Sequence, residues 1–282
     1  MRADLHSHST ASDGTCPPAD VMRRARAAGL DVIALTDHDT VAGLGEARVA
    51  LPPGLALLPG MELSCRLEGH SVHLLGYLFD PGHQELASEC ARIRESRLRR
   101  AQAMVDRLAE LGAPVTWDQV SAMAGGGVVG RPHIARAMVE AGVIDAPEQA
   151  FGPDWLGAGG RAHVTRYALD PVRAIALIRA AGGVAVLAHP RAAARGWMMP
   201  DDAIAALAAA GLHGIEVWHP DQDQSARQEL QALAATLDLV ASGGSDDHGE
   251  LTGYRIGSDT IAAEAYERLV SQATGARPVS RQ

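Results

Sequence analysis

Aromatic residues are scarce in this chain, with four Trp, four Tyr and two Phe among 282 residues. A core built from it must rely on Leu, Val, Ile and Ala. Cysteine is scarce as well. Cys16, Cys65 and Cys90 are odd in number, widely spaced and free of any CxxC pair. That argues against a disulfide framework and for reduced thiols in a cytoplasmic setting. An excess of positive charge is also missing, since 25 basic residues face 34 acidic ones for a formal net charge of -9. A mainly electrostatic nucleic-acid binder, or a stable large nucleic-acid complex, is therefore not expected. The first residues lack the basic and apolar regions of a secretory signal, and no apolar run reaches the ~18 residues that cross a bilayer. The alanine-rich stretch from Ala203 to Leu212 comes closest, and it follows Asp201-Asp202. No membrane partner is expected, and nothing in the sequence specifies an oligomeric state.

What is present supports a sizeable core: 47% of residues are hydrophobic and 21% charged, a balance typical of globular chains. Short apolar runs alternate with helical spacing. Candidate strands are Ala3 to His6, Val32 to Thr36, Ala56 to Leu58, Val72 to Tyr77, Val184 to Ala188, Gly214 to Trp218 and Leu239 to Ser242. Candidate helices run from Pro17 to Ala28, Asp170 to Ala181, Asp201 to Ala210, Asp223 to Thr236 and Ile261 to Gln272. This alternation predicts an α/β fold with a mainly parallel sheet of about seven strands. From Gln84 to about Gly142 the pattern is helical throughout, interrupted by the glycine-rich run Gly125 to Gly130. A small helical insertion is expected there. The polar tail after Ala273 is expected to fray.

Costly polar groups gather at the strand ends. His6 and His8 end the first strand, and HxH spacing on an extended chain turns both imidazoles to one side. Asp13 follows in the loop. Further along come Thr36-Asp37-His38-Asp39, Gly60-Met61-Glu62, His73 within HSVHLLGY, Ala188-His189-Pro190 and Gly244-Ser245-Asp246-Asp247-His248. Taken singly, His73 reads as a core histidine, Asp246 as a turn residue and Glu62 as a surface acid. Six segments delivering such groups to one edge change the balance, because burying carboxylates and imidazoles together without a cation is costly. Mixed imidazole and carboxylate donors without thiolate suit Zn, Mn or Fe. His6, His8, Asp13, His38, Glu62, His73, His189, Asp246 and His248 are too many for one ion and suit two or three divalent ions. His70, His83, His163, His213 and His219 lack the pattern and read as ordinary histidines.

The ordered motifs DLHSHSTASDG, TDHD, the Gly60-Met61-Glu62 acid, HLLG, AHP and GSDDHG resemble those of the PHP (polymerase and histidinol phosphatase) superfamily. The helical insertion further resembles the branch of nucleoside 3',5'-bisphosphate phosphatases and 5'-3' exoribonucleases. The resemblance implies a distorted (β/α)7 barrel formed by residues 1–82 and 165–282, with residues 83–164 as a helical cap. It implies a trinuclear site in which His6, His8, Glu62 and Asp246 hold one ion. Glu62, His73 and His189 would hold a second, and Asp13, His38 and His248 a third. Asp247 stands where relatives often carry an aromatic or apolar residue, which leaves the local pocket wall open to question. Arg131 and His133 begin an insertion helix, where guanidinium, imidazole and helix N-terminus all suit phosphate; Arg166 is a further phosphate-binding candidate. The expected reaction is hydrolysis of a nucleotide phosphomonoester, or of a 5'-phosphorylated short oligonucleotide, by a metal-bridging hydroxide. Asp37 or His189 would orient the nucleophile or take its proton, and Arg131 would grip a second phosphate. A histidinol-phosphate-type phosphatase and a non-catalytic metal-binding module are the alternatives.

Overall fold

The structure, a computed structural model, describes residues 1–124, 129–157, 159–193 and 196–281. Residues 125–128 of the glycine-rich run lie outside the described residues. The chain divides into two compact units, residues 1–90 with 168–282, and residues 91–167.

In the first unit, short apolar runs become strands. Ala3–Asp4 (β1), Val32–Leu35 (β2) and Ala56–Leu67 (β3) pair in parallel in that order. His70–Tyr77 (β4) turns back antiparallel to β3, with Gly60 opposite Tyr77 and Leu67 opposite His70. It also runs antiparallel to Val184–Leu187 (β5), after which Gly214–Trp218 (β6) and Val240–Gly243 (β7) follow in parallel. The sheet nearly closes into a barrel where β1 meets β7: Leu5 N donates to Gly243 O at 3.3 Å, and Ser7 bridges Asp247. Every residue of β2 and β5 is buried, as expected of parallel strands covered on both faces. Each fully buried Leu, Ile or Val there contributes about 1.5–3 kcal/mol through lost apolar hydration.

The helices follow their punctuation. Pro18–Ala27 (α1) buries Pro18, Val21, Met22 and Ala25, a single stripe at helical spacing. Gly29, at φ +71°, lies just beyond its end. Leu44–Val49 (α2) is too short to show a period in the sequence. Asp170 caps Pro171–Ala180 (α6), accepting from Val172 N at 2.9 Å. Asp223 caps Gln224–Thr236 (α8), accepting from Ala226 N at 2.8 Å. Asp201–Ala209 (α7) and Ala263–Gln272 (α9) complete this unit's later helices.

Two sequence expectations are corrected. The third strand does not end near Leu58 but runs on to Leu67, through Pro59-Gly60. Glycine is needed at that point because an added Cβ would lie 3.0 Å from both Thr36 and Tyr77. The tail is not frayed either. Thr274 N donates to Gly182 O at 2.8 Å, Ala276 N donates to Leu78 O at 2.6 Å, and Val279–Ser280 (β8) pairs with β3. Backbone hydrogen bonds hold a segment whose polar side chains gave no sign of it.

The second unit contains most of Gln84–Glu110 (α3), together with Trp117–Met123 (α4) and Arg131–Glu140 (α5). Thr116 and Gln119 form a capping box on α4. Met104, Leu108, Val120, Ile134, Met138 and Leu156 meet in its core. Among the described residues no helix is long and apolar enough to cross a membrane.

Candidate metal centre

Strand alternation builds the first part of the centre. His6 and His8 are fully buried, and their Nε2 atoms lie 3.1 Å apart. Ser7 between them faces away, its Oγ donating to Ala34 O at 2.6 Å. The imidazole pair is thus tied to β2 through the intervening serine.

Glu62 stands within β3, not at a strand end, and five histidines converge on its carboxylate. Oε2 lies 3.1 Å from His8 Nε2, 3.3 Å from His6 Nε2 and 3.2 Å from His38 Nδ1. Oε1 lies 2.7 Å from His73 Nδ1 and 3.2 Å from His189 Nε2. Asp246 Oδ1 approaches His6 and His8 at 3.3 and 3.2 Å. Asp13 faces His38, His248 and His8 at 3.6, 3.4 and 3.7 Å. Among the described residues five groups have donor atoms mutually within 4.8 Å, three of them built from these side chains: His6, His8, Glu62 and Asp246; His8, Asp13, His38 and His248; and His38, Glu62 and His73. Three non-glycine residues at or beside the cluster have positive φ: Asp39 at +55°, His189 at +28° and Asp246 at +49°. Such backbone persists only where its surroundings over-determine it.

The PHP domain family matches residues 4–112. A 5'-3' exoribonuclease of Haemophilus influenzae is 38% identical over 246 residues, covering 87% of this chain and 89% of its own. The chain belongs to the PHP family. A 3',5'-nucleoside bisphosphate phosphatase of Chromobacterium violaceum is 34% identical over 254 residues, covering 89% of each chain. The crystal structure of a candidate metal-dependent phosphoesterase from Bifidobacterium adolescentis matches with a TM-score of 0.86 at 36% identity over 96% of both chains. This PHP protein is accordingly a metal-dependent phosphoesterase with an α/β, nearly closed barrel.

The donor set fits divalent cations. Among the described residues, His8 Nδ1, His38 Nδ1, His73 Nδ1 and Glu62 Oε2 are buried without a hydrogen-bond partner. The approaches of His38 Nδ1 to Glu62 Oε2 at 3.2 Å and of His73 Nδ1 to Glu62 Oε1 at 2.7 Å make no hydrogen bond, so these groups crowd together without satisfying one another. Metal-free electrostatics is correspondingly divided. Burial opposes charge on His8, but Asp246 and Glu62 outweigh it and push its pKa up to about 10. His6 is likewise raised against burial, by Asp246, Glu216 and Glu62. Burial, helped by neighbouring His8 and His73, pulls His38 down to about 3. Burial would raise Glu62, Asp13 and Asp246, yet their imidazole neighbours hold all three well below the usual carboxylate range.

Other sequence candidates have different surroundings. Asp37 is buried and accepts from Ser9 N, Ser9 Oγ and Ser12 Oγ at 2.8, 2.7 and 2.7 Å. It thereby braces the loop that leads to Asp13. Asp247 is also buried, accepting from Gly249 N, Thr252 Oγ1 and Arg255 N at 3.1, 3.2 and 2.6 Å. Its carboxylate braces the loop after His248. Arg131, His133 and Arg166 belong to the second unit. There His133 Nδ1 accepts from Gly130 N at 3.0 Å at the start of α5, and the Arg131 guanidinium lies 5.6 Å from the Phe151 ring.

Two residues of the centre escaped sequence reasoning. Glu216 is fully buried, with Oε1 3.1 Å from His6 Nδ1 and Oε2 accepting from His189 N at 2.8 Å. His219, read from sequence as ordinary, is fully buried with Nε2 3.2 Å from Asp246 Oδ2. Its Nδ1 accepts from Asp221 N at 3.0 Å, so Nε2 carries the proton and donates to Asp246. The sequence held two signals for them. Glu216 is a lone acid inside the apolar strand GIEVW, and His219-Pro220 repeats the His189-Pro190 pattern one strand later.

Proposed function

We propose that this PHP protein hydrolyses phosphomonoesters of nucleotides, such as nucleoside 3',5'-bisphosphates, or acts on 5'-phosphorylated short oligonucleotides. The convergence of eight His and Asp side chains with Glu62, with buried donor atoms left without hydrogen bonds, is the observation that carries this reading. His6, His8, Glu62 and Asp246 would hold one ion. Glu62, His73 and His189 would hold a second, and Asp13, His38 and His248 a third. When bound, Mn, Zn or Fe ions supply an activated water at neutral pH and charge neutralisation for the phosphate.

The chain's own residues then divide the remaining work. His219 orients the Asp246 carboxylate. Asp37 positions Asp13 through the Ser9–Ser12 loop; with three hydrogen bonds already accepted, its part is support and not proton transfer. His189 presents Nε2 at the Glu62 edge, 3.2 Å from Oε1, as the atom that would hold the second ion. Arg131, His133 and Arg166 bind a second phosphate or the substrate backbone, a role supported by fork geometry and by the N-terminus of α5. The three buried cysteines form no disulfide, which supports a reducing cytoplasm as the working compartment.

The test is turnover of adenosine 3',5'-bisphosphate, read as phosphate release, and of a 5'-phosphorylated short RNA, read as released phosphate or nucleoside monophosphate, with Mn²⁺ added to metal-stripped protein. Asp246→Asn should lose both activities. Equal turnover by Asp246→Asn would refute the site, and turnover of histidinol phosphate alone would move the substrate outside nucleotides.

A further inference from the structure

Glu216 is the only acid of β6, and its carboxylate meets two N–H groups from different segments. Oε1 takes the His6 ring at Nδ1, 3.1 Å away, and Oε2, itself 3.4 Å from that nitrogen, takes the His189 backbone N–H at 2.8 Å. We propose that Glu216 is the positioning residue of the centre, fixing the tautomer of His6 and pinning the turn that carries His189. The inference rests on the metal-centre reading above and adds a residue to it.

A carboxylate without a proton can only accept, so His6 Nδ1 must bear the hydrogen. The ring's single remaining lone pair is then on Nε2. That atom faces Glu62 Oε2 and Asp246 Oδ1, each at 3.3 Å, and His8 Nε2 at 3.1 Å. The opposite tautomer would turn the lone pair away from these donors. His189 needs its own restraint, because φ +28° is sparsely populated for a residue with a side chain. Its N–H is fixed by the same carboxylate, so one side chain couples two candidate ligands from different strands. Glutamine would place an NH₂ where one of these two oxygens stands, confronting either the His189 N–H or the protonated His6 nitrogen.

A competing arrangement is visible. Glu216, His6 and His219 also have donor atoms within 4.8 Å of one another, and could be taken for an ion site in their own right. In that case His6 would coordinate through Nδ1.

Zn²⁺-loaded wild-type protein labelled with ¹⁵N-histidine separates the two. The ring spectrum of His6 should show a protonated Nδ1 and a metal-shifted Nε2; metallation at Nδ1 would overturn the proposal. Glu216→Gln, titrated with Zn²⁺ against a chromophoric chelator, should bind about 10–100-fold more weakly, the usual effect of losing a group that orients a ligand. A folded Glu216→Gln protein with unchanged Zn²⁺ affinity would remove Glu216 from this role. If that variant does not fold, the wild-type ring spectrum decides. A wild type that takes up no Zn²⁺ sinks the metal centre and this inference with it, whereas normal uptake with an indifferent variant sinks the inference alone.

Discussion

Metal uptake by this centre should release protons, and the structure indicates which residues release them. His8 carries a pKa pushed up to about 10 in the metal-free fold, so it is protonated at pH 7. A metal ligand must be unprotonated. Removing that proton at pH 7 spans three pKa units, about 4 kcal/mol at ~1.4 kcal/mol per unit. Apparent affinity at pH 7 should therefore lie roughly a thousandfold below its limit at high pH on account of His8 alone. His6 is raised as well, and its Nε2 lies 3.1 Å from that of His8, so at least one proton must give way if an ion enters between His6, His8, Glu62 and Asp246. The affinity should then rise by about one decade per pH unit. The sign is settled by the direction of the shift. A histidine raised above its ordinary value near ~6.5 stabilises the metal-free fold below that pH, and loses this contribution as pH rises through the folded value. Proton and cation thus compete for one place. His38 behaves oppositely: at about 3 it is already neutral, so an ion held by Asp13, His38 and His248 takes no proton from it. Calorimetric titration with Mn²⁺ in buffers of different ionisation enthalpy, between pH 6 and 8.5, counts the protons directly. Uptake that releases none at pH 7, or an affinity flat across this range, would refute the electrostatic account.

Chelation should lower thermal stability: at free metal a hundredfold above its Kd, binding contributes about 2.7 kcal/mol, which corresponds to a fall of roughly 5–10 °C in the melting temperature of a chain this size. Differential scanning calorimetry with and without chelator reads it. Gly60→Ala should cost about 1–3 kcal/mol, since the new methyl meets Thr36 and Tyr77 at 3.0 Å; urea unfolding measures the loss, and unchanged stability would mean that β3 can move aside. His219→Ala should weaken metal affinity about 10–100-fold by freeing the Asp246 carboxylate, while His70→Ala, at an exposed hairpin end, should leave metal affinity unchanged in the same titration. Asp170→Ala removes the cap of α6 and should cost about 1 kcal/mol of stability with turnover intact.

Much of the barrel was legible because burial on both faces leaves a mark on sequence. Val32-Ile33-Ala34-Leu35 and Val184-Ala185-Val186-Leu187 have no polar residue to spare, and each became a buried strand. The histidines of HxH, TDHD and AHP were legible for the complementary reason. Polar groups placed directly after such runs have to be reconciled with burial, and the structure draws them into one cluster. Glu62 was found as a residue but misplaced as a strand end. Pro59-Gly60 reads locally as a break, whereas the glycine is there to let β3 pass close to Thr36 and Tyr77. The tail was misread on the same kind of local evidence, since composition does not report which backbone groups will find partners.

Glu216 and His219 mark the deeper limit of local reading. Each left only a faint mark on the sequence, and its role follows from the residue it faces: His6 after β1 in one case, Asp246 after β7 in the other. Those partners are 210 and 27 residues away in sequence. Most of the candidate ligands betray themselves by following an apolar strand with the right chemistry. The residue behind a ligand need only be close enough to fix a proton or a carboxylate, and closing the barrel is what creates that closeness. In this protein β6 lies between β5 and β7, beside the strands that carry His189 and Asp246. Its end is therefore where supporting groups should collect, and an acid and a histidine are what it carries there.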